Sequence, residues 1–315
     1  MSTSAVSPPT ADRIGFIGAS SMMGHGMARH LLLKGFPLTL TQHTKREPSP
    51  VADLLAAGAV DVASAAAVAA ASTVVFICVT GSAEVEQVLT KPDGLLAGAA
   101  AGSFFVDTST SEPAVTARLR AACAARGVTL IDAPLARTPV EAEQGRLNVM
   151  VGASDADFAR LLPLIKGVWA ENVVHVGPPG AGHTVKLANN MMAMAITTSA
   201  AEAFGVCAKA GVDPKKLVEV VSLGGVNSGL FQGMAKALNG DLAGLKFQLD
   251  NARKDLRYYT HLGESVNVPT VVGDAVLSSL SIASALGHGA AFVPALVSAQ
   301  ETLASVKIVG GGGSA

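Results

Sequence analysis

The sequence predicts an α/β domain with a doubly wound, mostly parallel sheet, followed by an all-α domain. Short apolar runs alternate with helical or Ala-rich segments from Arg13 to Asp132, the pattern of successive βα units. From about Thr184 to Lys307 no run has the composition of a strand. With 315 residues, half of them apolar and 15% charged, the chain is long enough for two domains and a large core.

Arg13 to Gly18 reads as the first strand; helical spacing follows from Met22 to Lys34 and stops at Gly35. Phe36 to Thr41 is the second strand and runs into a polar loop. Val62 to Val79 carries no charge over 18 residues, the length at which a membrane span comes into question. Its Ala and Ser content gives little hydrophobic drive, so it divides into a short helix, Val62 to Ala71, and a buried strand, Thr73 to Val79. Ser103 to Asp107 and Val128 to Asp132 are the next strands. Ala275 to Gln300 also lacks acidic and basic residues, but Gly287, His288, Gly289 and Pro294 interrupt it, which predicts buried helices.

Composition narrows the function. A net charge of −1, 4% aromatic residues and no basic run argue against nucleic-acid binding, and no membrane partner is expected. Cys78, Cys123 and Cys207 are odd in number, widely spaced and set in apolar segments, which predicts buried thiols in a reducing cytoplasm. The seven histidines show no metal-ligand spacing. Met1 to Asp12 has neither the basic region nor the apolar run of a signal or transit peptide and reads as a flexible tail. The expected domains are residues 13–180 and 181–308, the second opening with a long interdomain helix, and 309–315 reads as a flexible or appended tail.

Three regions carry candidate chemistry. The first βα turn reads Gly18-Ala19-Ser20-Ser21-Met22-Met23-Gly24, one residue longer than the Gly-x-Gly-x-x-Gly dinucleotide fingerprint and with Ser20 where the middle glycine would stand. Hydroxyls of Ser20 and Ser21 are expected to replace lost backbone contacts, with modest cofactor affinity. At the end of the second strand, where an acid would select NAD, the chain has Gln42, His43, Thr44, Lys45 and Arg46; two cations and no acid favour NADP(H), with NAD(H) as the alternative.

Thr108 to Pro113 and Asp132 to Pro139 each follow a strand, at the carboxyl edge where open α/β sheets bind ligands. Arg137 stands among small residues, placed to clamp an anion, or else to pair with Glu141 or Glu143 on the surface. The third region is Gly180 to Asn190. On a helix Lys186, Asn189 and Asn190 share one face, and from Met191 to Val206 only Glu202 is charged, so the helix is expected to be buried on most sides. A lysine at the mouth of such a region is a candidate proton donor.

Together these stretches resemble the β-hydroxyacid dehydrogenases, the group containing 3-hydroxyisobutyrate dehydrogenase and tartronate semialdehyde reductase. The resemblance runs from Ile14 to about Lys307 through four ordered motifs. Gly15-Phe16-Ile17-Gly18 matches the cofactor motif, Asp132-Ala133-Pro134 with Gly145 to Gly152 the substrate motif, Gly180 to Asn190 the catalytic motif and Lys254-Asp255-Leu256 a C-terminal cofactor motif. It implies a Rossmann-type first domain and a helical substrate and oligomerisation domain. Lys186 would be the catalytic lysine, Asn190 would orient the substrate, Thr110 would contact substrate or nicotinamide, and Lys254 would reach the cofactor, as would Val79 and Thr80. Where most members carry Ser-Gly-Gly, this chain has Ala136-Arg137-Thr138, similar to the Gly-Arg-Thr variant of sulfolactaldehyde reductase.

The implied reaction is a reversible hydride transfer between the nicotinamide and a short anionic aldehyde or hydroxy acid. Lys186 acts as general acid and base, its pKa depressed by burial and by Arg137. Two rivals stand beside it: an imine reductase, against which Lys186 argues, and an NADP(H)-binding protein without turnover. The apolar surface of the helical half, with Met191, Met192, Met194, Phe204 and Phe231, predicts a homodimer or homotetramer.

Overall fold

A computed structural model describes residues 11–42 and 47–310. The expectations for Met1 to Thr10, for His43, Thr44, Lys45 and Arg46, and for Gly311 to Ala315 lie outside the described residues. The chain divides into two compact units, Met1–Lys186 and Leu187–Ala315, with separate cores.

The first unit is built on a nine-stranded sheet of order β3-β2-β1-β4-β5-β6-β8-β7, with β9 on β8. The strands are β1 Ile14–Ile17, β2 Leu38–Thr41, β3 Val60–Asp61, β4 Val74–Ile77, β5 Phe104–Asp107, β6 Thr129–Asp132, β7 Leu135–Ala136, β8 Leu147–Gly152 and β9 Ala170–Gly177. From β3 to β6 all pairings are parallel; β8 runs antiparallel to β6 and β7 and parallel to β9. Every residue of β1 and β4 is buried, which is why these strands read as unbroken apolar runs. The strand read from Phe36 starts at Leu38, because Pro37 has no N–H for the ladder.

The stretch read as a helix from Val62 is the helix Ala65–Ala71, whose first turn is capped by Ser64. The helix after β1 is Gly24–Leu33. Because the chain leaves β1 for β2 and β3 and then crosses back to β4, the order reverses between β1 and β4. That reversal opens a crevice at their carboxyl ends.

Strands β7 to β9 were not among the expected elements. In β8, Leu147, Val149 and Val151 are buried and alternate with half-buried Asn148 and Met150, a period of two that the sequence does carry. In β9 only Ala170 is buried, Glu171, Asn172 and Val174 are exposed, and the apolar alternation of an inner strand is missing.

Asp12 corrects the expected extent of the tail. It is 6% exposed, the Thr73 hydroxyl donates to its Oδ1 at 2.9 Å, and Arg160 pairs with it. At the other end Val309 N–H donates to Glu301 Oε1 at 2.7 Å. Cys78 and Cys123 are buried, and burial pushes the Cys123 thiol up to about 11; Cys207 is only half-buried.

The second unit contains no strand among its described residues. Its main helices are Pro214–Ser222, Gly229–Ala235, Leu249–Ser265, Val271–Ala283 and Leu296–Ala304. The helix Ala181–Lys209 starts in the first unit and continues into the second. Phe204, Phe231, Met234, Leu249, Leu256 and Leu280 belong to one buried cluster. By length and composition, Ala181–Lys209 and Val271–His288 are apolar enough to cross a membrane, but each buries one face in that cluster.

Their opposite faces are less buried than the lack of charge implied. Met192 is 64% exposed, Val206 63% and Val271 75%, so charge-free composition here marks apolar surface as well as core.

Candidate active site

Gly18 ends β1 with φ 87°, and a Cβ there would stand 2.0 Å from the Cys78 carbonyl oxygen, so the position accepts only glycine. This lets the loop cross the end of β4. Ser21 then closes the turn: its N–H donates to Gly18 O at 3.0 Å, and its hydroxyl accepts from Gly24 N–H at 3.0 Å. The Ser21 hydroxyl is therefore committed to the start of the helix, whereas Ser20 is exposed.

Met22 and Met23 backbone N–H groups make no hydrogen bond among the described residues, and no acid stands in the first turn of Gly24–Leu33. Uncommitted N–H groups at a helix N-terminus beside a glycine crossing fit the pyrophosphate of a dinucleotide.

At the end of β2 the Gln42 amide donates to Asp61 Oδ2 at 2.9 Å and accepts from the Ser49 hydroxyl at 2.9 Å. β2 itself carries no acid at this point, but its neighbour β3 brings one alongside, 19 residues on in the chain. Nearby in sequence to the loop, His25 bridges two carboxylates, Nδ1 at 2.8 Å from Glu143 Oε1 and Nε2 at 3.0 Å from Asp53 Oδ1. Burial pulls its pKa down, and the two carboxylates outweigh that and raise it above 6.5.

The Thr108 to Ser111 loop is fixed by Asp107, whose Oδ1 accepts from Ser109 N–H at 2.9 Å and Oδ2 from the Ser111 hydroxyl at 3.0 Å. Ser109 Oγ in turn accepts from Val79 N–H at 3.0 Å. Thr110 is half-buried on this loop, while Thr80 after β4 is exposed.

Arg137 follows β7 with φ 83°, a conformation rarely adopted by side chains other than glycine. Its Nη1 donates to Arg146 O at 2.6 Å and pairs with Glu171, rather than with Glu141 or Glu143. The pairing with Arg137 holds the Glu171 carboxyl below its usual range. Nη2 and Nε of Arg137 make no hydrogen bond among the described residues. Ala136 pairs with Asn148 across the ladder. Thr138 caps the helix Pro139–Glu143 reciprocally with Glu141, which the Thr-x-x-Glu spacing could have revealed.

Lys186 is half-buried, in the second turn of Ala181–Lys209. Asp132, 0% exposed at the end of β6, anchors that helix start by accepting from Gly180 N–H at 2.7 Å and His183 N–H at 3.0 Å. One turn beyond Lys186, Asn190 Nδ2 donates to Asp255 Oδ2 at 2.7 Å. Lys254 Nζ stands 2.8 Å from Asp255 Oδ1 and 4.8 Å from the Tyr258 ring centre. Sequence reasoning passed over Asp255 and Asp61, although Asp255 stood inside a quoted motif.

Residues 13–177 match the family model described as the NAD binding domain of 6-phosphogluconate dehydrogenase. Residues 180–299 match the model described as NAD-binding of NADP-dependent 3-hydroxyisobutyrate dehydrogenase. The chain belongs to the β-hydroxyacid dehydrogenase family. It is an NAD(P)-dependent hydroxyacid dehydrogenase.

This dehydrogenase is 33% identical over 304 residues to the 2-(hydroxymethyl)glutarate dehydrogenase of Eubacterium barkeri, covering 95% of the chain and 98% of the relative. It is 30% identical over 278 residues to the 3-sulfolactaldehyde reductase of Escherichia coli, covering 88% and 91%. A solved 3-hydroxyisobutyrate dehydrogenase from Salmonella typhimurium superposes with a TM-score of 0.79 at 30% identity, covering 91% of this chain and 99% of that one.

The His25 bridge gives the dehydrogenase a pH-dependent stability increment. A folded pKa above the unfolded 6.5 stabilises fully below that value and is lost as pH rises through the folded pKa. His25→Gln is therefore expected to lower the urea midpoint at about pH 6 and to leave it nearly unchanged at about pH 9.

Proposed function

We propose that the enzyme interconverts a short, anionic 3-hydroxy acid or related alcohol and its semialdehyde, with NADP(H) favoured over NAD(H). The observation that carries this reading is the unbroken helix Ala181–Lys209, which puts Lys186 and Asn190 one turn apart on one face, with the Asn190 amide tied to Asp255. Two relatives whose names specify anionic compounds, the dicarboxylate 2-(hydroxymethyl)glutarate and the sulfonate-bearing aldehyde 3-sulfolactaldehyde, support the substrate class.

Gly18, Met22 and Met23 would hold the pyrophosphate, and Lys45 and Arg46 a 2′-phosphate. The bound nicotinamide supplies or accepts the hydride. Lys186 Nζ, as ammonium, hydrogen-bonds the substrate carbonyl oxygen, stabilises the alkoxide as it forms and gives it a proton; as amine it takes that proton back in oxidation. Asp255 can only accept, so Asn190 turns one N–H towards it and keeps the second for the substrate. Arg137 meets the anionic end through Nη2 and Nε, while Nη1 stays on Glu171 and Arg146 O.

The exposed apolar residues of the second unit, among them Val206, Val220, Leu223, Val271 and Val272, support self-association as a homodimer or homotetramer. The three free thiols fit a cytoplasmic location.

Lys186→Met is expected to cut kcat by about 10²–10⁴-fold. NADPH titrated into that variant should bind as it does to the parent, and more tightly than NADH. Parental turnover by the variant would refute the role of Lys186, and tighter NADH binding would refute the assignment of Lys45 and Arg46. Light scattering of the purified enzyme should give at least a dimer mass; a monomer mass would contradict the association.

A further inference from the structure

We propose that His25 is the positioning residue of the cofactor turn: as imidazolium it joins the helix behind that turn to two neighbouring helices, and cofactor affinity falls when the ring loses its proton. The turn is Gly18 to Gly24, so this role rests on its holding the pyrophosphate. His25 is the second residue of Gly24–Leu33, and its backbone N–H donates to Ser21 O at 3.0 Å. Ser21 closes the turn on both sides, through Gly18 O and Gly24 N–H. Whatever holds His25 therefore holds the turn.

The ring lies between two carboxylates from different helices. Nδ1 is 2.8 Å from Glu143 Oε1, on Pro139–Glu143, and Nε2 is 3.0 Å from Asp53 Oδ1, on Ala52–Ala56. A carboxylate only accepts, so both contacts are hydrogen bonds only when both ring nitrogens carry hydrogen. Burial opposes the charge, but the two carboxylates, Asp53 foremost, outweigh it and raise the ring's pKa above 6.5. Against its own slight burial, Asp53 is held below the usual carboxylate range by the same bond.

The joint with Pro139–Glu143 has other supports. A Cβ on Gly26 would stand 2.4 Å from the Ala142 carbonyl, Arg29 Nη1 lies 3.5 Å from Glu143 Oε2, and His30 Nε2 is 3.0 Å from Glu143 O. Towards Ala52–Ala56, the bond to Asp53 is the one side-chain hydrogen bond between the two helices among the described residues. The titratable groups facing the ring among those residues are thus Asp53 and Glu143, with Arg29 and His30 behind Glu143. A neutral ring donates to one carboxylate and turns a lone pair on the other, so losing the proton reduces a three-helix joint to two.

Ala52–Ala56 lies just beyond the loop proposed for the 2′-phosphate, and Pro139–Glu143 just beyond Arg137. The joint therefore carries the turn together with two other proposed ligand loops.

The test is NADH titrated into the full chain at intervals from about pH 6 to about pH 9, followed by nicotinamide fluorescence. NADH has no 2′-phosphate to titrate in that range. The joint is present while the ring is charged and lost as pH rises through its folded pKa, so the parent dissociation constant should rise by about threefold or more. His25→Gln should bind at the parent's high-pH level throughout. Seen from the proton, the ¹H NMR titration of the His25 ring should give a pKa that rises further on saturation with NADH. The ring signal is assigned by its absence from His25→Gln or, should that variant not fold, by its lowered pKa in Asp53→Asn. A parent affinity flat in pH, an equal slope in His25→Gln, or a ring pKa unmoved by NADH overturns the positioning role and leaves the cofactor turn standing. A parent that binds neither NADH nor NADPH overturns the cofactor turn, and this role with it.

Discussion

Asp132 is fully buried, and its two oxygens accept from the backbone N–H groups of Gly180 and His183 at the start of the helix that bears Lys186. Hydrogen bonds to a charged group contribute about 1.5–3 kcal/mol each, more than the ordinary kind, and the helix dipole adds to them. The geometry is demanding. A Cβ on Gly152 would come within 2.6 Å of Asp132 Oδ2, and one on Gly182 within 2.7 Å, so both positions need glycine. The glycines around the helix start thus make room for a carboxylate, and the carboxylate fixes where the helix begins and which way Lys186 leaves it.

The same logic governs the neighbouring strand ends. Where β1 stops, the chain answers with a glycine lying on the Cys78 carbonyl; where β5 stops, with a buried aspartate that orders a serine-rich loop. These strand ends lie on the carboxyl edge of a parallel sheet, where open α/β folds place their ligands. The rigidity of the edge comes from Asp107 and Asp132, whose buried oxygens each accept from a named donor, so chemistry needing fixed positions can rest on it.

Much of this was legible in the sequence. Central parallel strands are buried on both faces, so β1, β4 and β5 showed as apolar runs, and Lys186 and Asn190 stood out as polar residues on a helix whose stretch from Met191 to Val206 has Glu202 as its one charge. The strand β9 lacked that signature because only Ala170 of its eight residues is buried. What could not be read were partnerships set by topology: Asp132 meets Gly180 across 48 residues, Asn190 meets Asp255 across 65, and Gln42 meets Asp61 across 19. Arg137 was legible as a cation among small residues, but neither its left-handed backbone nor its engagement by Glu171 has a local sequence signal. Charge-free composition misled about burial, since it cannot separate a core helix from one with an exposed apolar face.

The central claim is reduction of a short anionic semialdehyde at its carbonyl carbon. It is tested most directly by turnover with NADPH carrying deuterium at C4 of the nicotinamide, using carboxylate- and sulfonate-bearing semialdehydes and locating the label by mass spectrometry and NMR. The account predicts deuterium on the former carbonyl carbon of the hydroxy product. Failure of every such aldehyde to take up the label, or label transferred instead to a cyclic imine, would contradict it.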